Sequence, residues 1–508
     1  VLFALFFFSH STIFDVERIY FFLKLSTRFL EKIKLLNTEY MKTAKYLFIF
    51  SSIASSALFG ESIVNTSGNW SSPSTWQGSA VPSTSSSSQL DFLRFSSSGL
   101  NLNVDSTEYV NAVDVGSNDN TTINIAAGNT LYLTGHTISS VISADSQTQN
   151  ITFSGDGTLR FDISRQREIV RGNVVFDVET YATNSLFFSD KGTVTFKKNF
   201  TSTNQISVGG TWNFIIESGV KFSLSRGFNL WGETGSFTLK EGATVENKES
   251  GVQFSNGDIS GNIICKGHTN DDANRYAFKS INAVYNATAT VTQTEGGALR
   301  SILGGNITSS AAAGKLSFES KLSINTGATI TLNSSNAFKT EGASTQGESN
   351  FYLMNQQIVG EYPNRNETLT ASNVNFILNA DNDFGTFFFY GASELIMTTN
   401  GKSVNIGKFD VVPDSSGSVS AIFTDLVDFT VKINSLDNIK LIEDGDSIRA
   451  ENVFFGSDYK EWAYILQDTQ NGGWWINATA AVPEPSDCAA VFGVFALALA
   501  AALKRKNK

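Results

Sequence analysis

Gly157-Thr158-Leu159-Arg160-Phe161, Gly192-Thr193-Val194-Thr195-Phe196, Gly235-Ser236-Phe237-Thr238-Leu239 and Gly314-Lys315-Leu316-Ser317-Phe318 share one form, a glycine followed by apolar residues at alternate positions. Alternation with period two puts both apolar side chains on one side of a pleated strand, and the glycine lets the chain turn just before it. Close variants start at Gly128, Gly172, Gly219 and Gly327, and Thr122-Ile123-Asn124-Ile125 and Lys221-Phe222-Ser223-Leu224 alternate in the same way. The intervals between these glycines are uneven. A stack of β-coils tolerates that, because corners vary in length while strands keep register with the coil below. The pattern predicts an all-β chain folded as a single elongated parallel β-helix, or β-solenoid. A string of β-sandwiches is the structural alternative, weakened by the lack of a visible linker.

Working outward from these strands, no proline occurs between Pro82 and Pro363. A long internal ladder excludes proline because each strand needs its N–H groups. No run of apolar residues at i, i+3, i+4 and i+7 marks a helix in this stretch. Ser, Thr, Asn and Gly dominate, charged residues are only 17% of the chain, and Phe reaches 41. Trp70 and Trp76 near the start, and Trp462, Trp474 and Trp475 near the finish, are placed to cap the outermost coils, with only Trp212 and Trp231 between them.

Charge and motifs bound the chemistry. The chain has a formal net charge of −11, and without its two ends it is more acidic still, with no Lys/Arg cluster left to track phosphates. Nucleic acid is therefore excluded as a partner. Of the two cysteines, Cys488 lies in the C-terminal apolar run and Cys265 has no intramolecular partner, so neither a disulfide framework nor a Cys-based metal site is expected. Among the few histidines, His136 and His268 belong to no HExxH, and there is no Walker-type glycine loop or nucleophile elbow. Three polar clusters remain. Residues 265–275 (Cys265-Lys266-Gly267-His268-Thr269-Asn270-Asp271-Asp272-Ala273-Asn274-Arg275) read as a solvated loop before they read as an acid, base and cation. Asp381-Asn382-Asp383-Phe384-Gly385 opens like a calcium loop, but Ala392 stands at the twelfth position where a bidentate Glu belongs, and Glu394 is off register. Glu443-Asp444-Gly445-Asp446 reads first as an Asp-Gly turn. No catalytic residue, metal or cofactor is expected.

The two ends describe transport. Met41-Lys42-Thr43-Ala44-Lys45, the apolar run 46–54 and Ser55-Ser56-Ala57 form a positive region, a hydrophobic region and a signal-peptidase site, so residues 41–57 read as a signal peptide. Residues 1–40 do not fit in front of such a signal and read as an over-extended gene-model leader, the alternative being an uncleaved membrane leader. At the other end come Val482-Pro483-Glu484-Pro485, an apolar run from Cys488 to Leu503, and the basic residues Lys504, Arg505 and Lys506. As a helix the run spans about 24 Å, short of a bilayer core of about 30 Å unless flanking residues snorkel. The basic end holds that side in the cytoplasm as a stop signal.

This order of parts in 482–508 closely resembles the PEP-CTERM sorting domain, an exosortase substrate signal of Gram-negative bacteria. The resemblance implies that Val482, Pro483, Glu484 and Pro485 form the sorting motif, that 488–503 is a transmembrane helix with the basic tail 504–508, and that an exosortase removes the tail after transient inner-membrane anchoring. Asp487 at the helix entrance and the Lys-rich tail depart from the family pattern. An ordinary tail anchor is the alternative. Gly68-Asn69-Trp70-Ser71-Ser72-Pro73-Ser74-Thr75-Trp76 with the glycine-led strands also resembles autotransporter-like β-solenoid proteins, which implies a right-handed parallel β-helix over 58–481 used at the cell surface.

Fold alone does not give function. The favoured expectation is an exported structural or adhesive protein of the cell surface or biofilm matrix that is not an enzyme. Its partners would be signal peptidase and exosortase during export, and exopolysaccharide afterwards, with membrane contact only through the C-terminal helix before processing. The alternative is a carbohydrate-binding or polysaccharide-degrading β-helix protein of the envelope, which would show an aromatic shelf in the first case and aligned carboxylates in the second.

Overall fold

A computed structural model describes residues 61–477, apart from 83–91, 117–119, 136–139, 231–234, 250, 267–276, 295–299, 320, 326, 341–350, 355–371, 391–392, 403, 413–419, 424–429, 436–440, 445–446, 456–460 and 468–473; side chains are described only as far as residue 406. Two compact units divide the chain, Val1–Glu61 and Ser62–Lys508, and the strands below belong to the second. The expected signal peptide and C-terminal helix lie outside the described residues. No helix among the described residues is long and apolar enough to cross a membrane.

The strands are parallel and wind as a β-solenoid, each turn laying one strand on each of three faces. The turn Phe92–Phe95, Asn101–Val104, Glu108–Val110 is followed by Ala112–Asp114, Thr121–Ile125, Thr130–Leu133, each strand pairing in parallel with its counterpart one turn away. Arg167–Ala182 makes all three faces in one continuous strand, bent between them. Stacking is in register. On the second face Val194, Phe214, Phe237, Gly257, Ala283, Ile307, Ile330, Phe376 and Met397 occupy one inward column.

The apolar residues that announce the strands are the core. Leu159, Phe161, Val194, Phe237, Leu239 and Leu316 are fully buried, and Phe196 and Phe318 nearly so. The abundance of phenylalanine has a physical reason. Rings contact one another from turn to turn without a break: Phe153–Phe176, Phe176–Phe196 and Phe196–Phe222, then Phe222–Phe228, Phe228–Phe237, Phe237–Phe254, Phe254–Phe278, Phe278–Phe318 and Phe318–Phe338, all with centroids within 6.4 Å. Each such pair adds about 0.5–1.5 kcal/mol beyond its burial.

The glycines of the repeat divide into two kinds, and this explains the uneven spacing. Gly128 has a φ of 79° and turns the chain, as expected. Gly192 does not: a Cβ there would lie 2.1 Å from the carbonyl oxygen of Gly172 one turn away, so its absence lets two backbones meet. The motif also falls on different faces. Gly192 and Gly235 lead strands of the second face, Gly157 and Gly314 strands of the third.

Corners are stitched by side chains. Arg171 and Asp190 in one pair of neighbouring turns, and Asn256 and Asn282 in another, adopt positive φ at the first corner, and Arg171 forms an ion pair with Asp190. Such backbone is uncommon outside glycine, although Asn and Asp tolerate it best. Elsewhere asparagine amides form ladders. Asn103 donates to Asn69 at 2.9 Å and Asn124 to Asn103 at 2.8 Å; Asn379 donates to Asn333 and Asn400 to Asn379, both at 2.8 Å.

Both ends depart from the coil. At the start Trp70 and Trp76 are buried, meet edge to face at 4.8 Å, and are tied by the Trp76 Nε1–H donating to the Trp70 carbonyl at 2.8 Å. Pro73–Thr75 between them is a short 3-10 helix. At the finish the parallel winding gives way to antiparallel pairing among Leu441–Asp444, Ser447–Phe455, Glu461–Gln467 and Trp474–Asn477, the last strand lying antiparallel to Thr430–Ser435. Trp462 and Trp474 stand in this meander opposite Phe454 and Ile433. Asp444 pairs with Ser447 at one end of the Leu441–Asp444 and Ser447–Phe455 pair.

Candidate functional site on the third face

Outward positions of the third face carry Tyr181, the one exposed large aromatic among the described residues, and the half-buried Tyr109 and Tyr132. Tyr109, Tyr132, Arg160 and Tyr181 share one register position in four successive turns. Strand spacing of about 4.8 Å makes such a column a stack. The Tyr109 and Tyr132 rings lie 4.4 Å apart and 8° from parallel, and the Arg160 guanidinium sits 5.8 Å over Tyr132. Tyr132 is thus held between the Tyr109 ring and the Arg160 guanidinium. Tyr181, 43% exposed, makes no ring contact and no side-chain hydrogen bond, and the column continues beyond it with the small side chains of Thr201 and Ser223.

Next to Tyr181, at the corner between the second and third faces, lies a shallow open depression of about 420 Å³ lined by Asp156, Glu179, Lys197, Lys198, Asn199 and residues 218–220. Its polar groups hold one another in place. Lys198 Nζ donates to Asp156 at 2.8 Å and to the Gly155 carbonyl at 2.9 Å. Asn199 Nδ2 donates to Glu179 Oε1 at 3.1 Å, while Asn199 Oδ1 accepts from the Lys221 backbone N–H at 2.8 Å. The hydrogen bond and charge of Lys198 hold Asp156 below the usual carboxylate range. That is the reverse of what a general acid at a glycosidic bond needs. What the depression offers is a set of oriented hydrogen-bond donors and acceptors, with the exposed Tyr181, which does not itself line it, two residues along the strand from Glu179.

The residues singled out in the sequence fall elsewhere. Val482, Pro483, Glu484, Pro485, Lys504, Arg505 and Lys506 lie outside the described residues, as do His136 and residues 267–276 with His268. Cys265 faces the interior and is fully buried, and burial pushes its thiol up to about 12, so it stays protonated and unreactive at neutral pH. The calcium-loop opening is the start of a strand, Asn382–Tyr390. Asn382 accepts from the Asn336 N–H at 2.9 Å and donates to Ala380 at 2.7 Å, and the Asp383 N–H donates to Asn336 Oδ1 at 2.7 Å. Its side chains therefore serve the ladder. Among the described residues no three His, Cys, Asp or Glu side chains are grouped to hold a metal ion.

Sequence reading missed the Tyr109, Tyr132, Arg160 and Tyr181 column, because the four belong to one site only once the inter-turn register is known. No family model, curated protein or solved structure matches the chain.

Proposed function

We propose that this is an exported structural or adhesive protein of the Gram-negative cell surface or extracellular matrix, sorted by an exosortase and not an enzyme. The observation that carries this reading is the in-register parallel solenoid, with a continuous, mainly apolar core and outward faces stitched by Asn, Ser and Thr from turn to turn. Such a body is a rigid spacer that presents side chains at a fixed repeat. The ends supply the route: residues 41–57 direct export, 488–503 with Lys504, Arg505 and Lys506 halt it in the inner membrane, and Val482-Pro483-Glu484-Pro485 presents a proline-stiffened segment for cleavage.

The test separates these parts. Replacing Lys504, Arg505, Lys506 and Lys508 by neutral residues removes the stop signal, and the chain is expected to leak unprocessed into periplasm or medium. Pro483→Ala with Pro485→Ala leaves the anchor and is expected to accumulate uncleaved in the inner membrane. Fractionation with mass spectrometry of both ends reads the result. If the double proline variant is cleaved and exported like wild type, the sorting motif is wrong and the C-terminus is only a tail anchor.

A further inference from the structure

The aromatic part of the third-face column ends on Tyr181, a 43% exposed residue without a ring partner, two residues from a carboxylate on the same strand. From this geometry we infer a binding site for a neutral polysaccharide at Tyr181 and the adjoining depression. A sugar ring lies against the free face of Tyr181, and its hydroxyls bond to Glu179, Asn199, Lys198 and Asp156.

Three observations lead there. Glu179 and Tyr181 are alternate residues of Arg167–Ala182, so their side chains leave the same side of the strand about 6.6 Å apart, the breadth of one pyranose ring. The C–H groups of a sugar pack on an aromatic face while its hydroxyls need partners at the edge, and binding sites combine these two features. Charge selects the class of glycan. Lys198 pairs with Asp156 at 2.8 Å, Lys197 with Asp177 at 3.7 Å and Arg160 with Asp162 at 3.8 Å, and Glu179 is bonded to the neutral Asn199 amide, so the surface has no surplus positive charge to attract an acidic chain. The depression is open to solvent.

This goes beyond the proposed surface role and does not depend on the export route, because it is tested in solution on the purified full-length protein. Cellohexaose and chitohexaose serve as neutral probes and hexagalacturonate as the acidic one, with isothermal titration as the readout. One neutral hexasaccharide is expected to bind. Tyr181→Ala is expected to weaken it about tenfold, Tyr181→Phe less than about threefold, and Glu179→Gln about fivefold, where tenfold corresponds to about 1.4 kcal/mol. An unchanged far-UV circular dichroism spectrum shows that each variant folds. Failure of both neutral probes to bind, preference for hexagalacturonate, or wild-type affinity in Tyr181→Ala would each overturn the inference.

Discussion

Residues 172–240 and residues 252–310 build the same three-faced turns around opposite interiors. In the first stretch the inward columns are filled by Phe176, Phe196, Phe214, Phe222, Phe228 and Phe237, and among the described residues no buried side-chain polar atom lacks a partner. In the second the interior also holds Cys265, Ser280, Tyr285, Gln293 and Ser301, all essentially buried; Gln253 Oε1 has no partner, and the Ser280 and Tyr285 hydroxyls have only one another. Yet register passes through both: Phe237 pairs with Gly257, and Gly257 with Ala283. The backbone ladder therefore defines the coil. The interior sets how much stability each turn contributes.

Three measurements sharpen or break that contrast. The largest effect is expected in the aromatic stretch, where Phe196 touches Phe176, Phe200, Phe214 and Phe222. Phe196→Ala is expected to cost about 3–5 kcal/mol in urea unfolding, the range for truncating a packed aromatic. A loss under about 1 kcal/mol would mean that the ring stack carries little of the stability.

The second effect is alkaline and belongs to the polar stretch. Burial raises the Cys265 thiol from 9.0 to about 12 and pushes the Tyr285 phenol up as well. A raised folded value means that the folded state keeps a proton the unfolded state has lost, so stability is fully present below about pH 9 and falls as pH rises toward about 12. Each group contributes a slope of up to about 1.4 kcal/mol per pH unit in its window. Thermal melts from pH 8 to 11 are expected to show this decline, and Cys265→Ala to flatten it. An identical slope in the variant would remove Cys265 as its source.

The smallest effect concerns a single hydroxyl. With only the Ser280 hydroxyl beside it, outside standard hydrogen-bond geometry, the buried Tyr285 O–H adds little, so Tyr285→Phe is expected to leave stability within about 1 kcal/mol of wild type or raise it. A loss above about 2 kcal/mol would show that the hydroxyl is bonded and that the two interiors differ less than their composition suggests.

Much of this architecture is legible in the residues. Leu159, Phe161, Val194 and Phe196 advertise inward faces by alternation alone, and Trp70 and Trp76 sit buried at the start as their position suggests. Distance along the chain hides the rest. Gly192 looks like a turn former until Gly172 is known to lie beneath it, and Asn382 looks like a metal ligand until Asn336 is seen beside it. Tyr132, Arg160 and Tyr181 are unremarkable single residues until pairing aligns them. Local pattern specifies which way a side chain points; only the ladder specifies its neighbours. The antiparallel meander of 441–477 was invisible for the same reason, because its strands alternate like those of the coil.

The asparagine ladders have a consequence for the medium in which such a chain would work. An amide has no charge for dissolved ions to screen and no proton to lose, unlike the exposed pairs Lys221–Glu246 and Lys240–Glu217. The contacts running Asn69, Asn103, Asn124 and Asn333, Asn379, Asn400 therefore keep their strength across fresh, saline and acidic water alike.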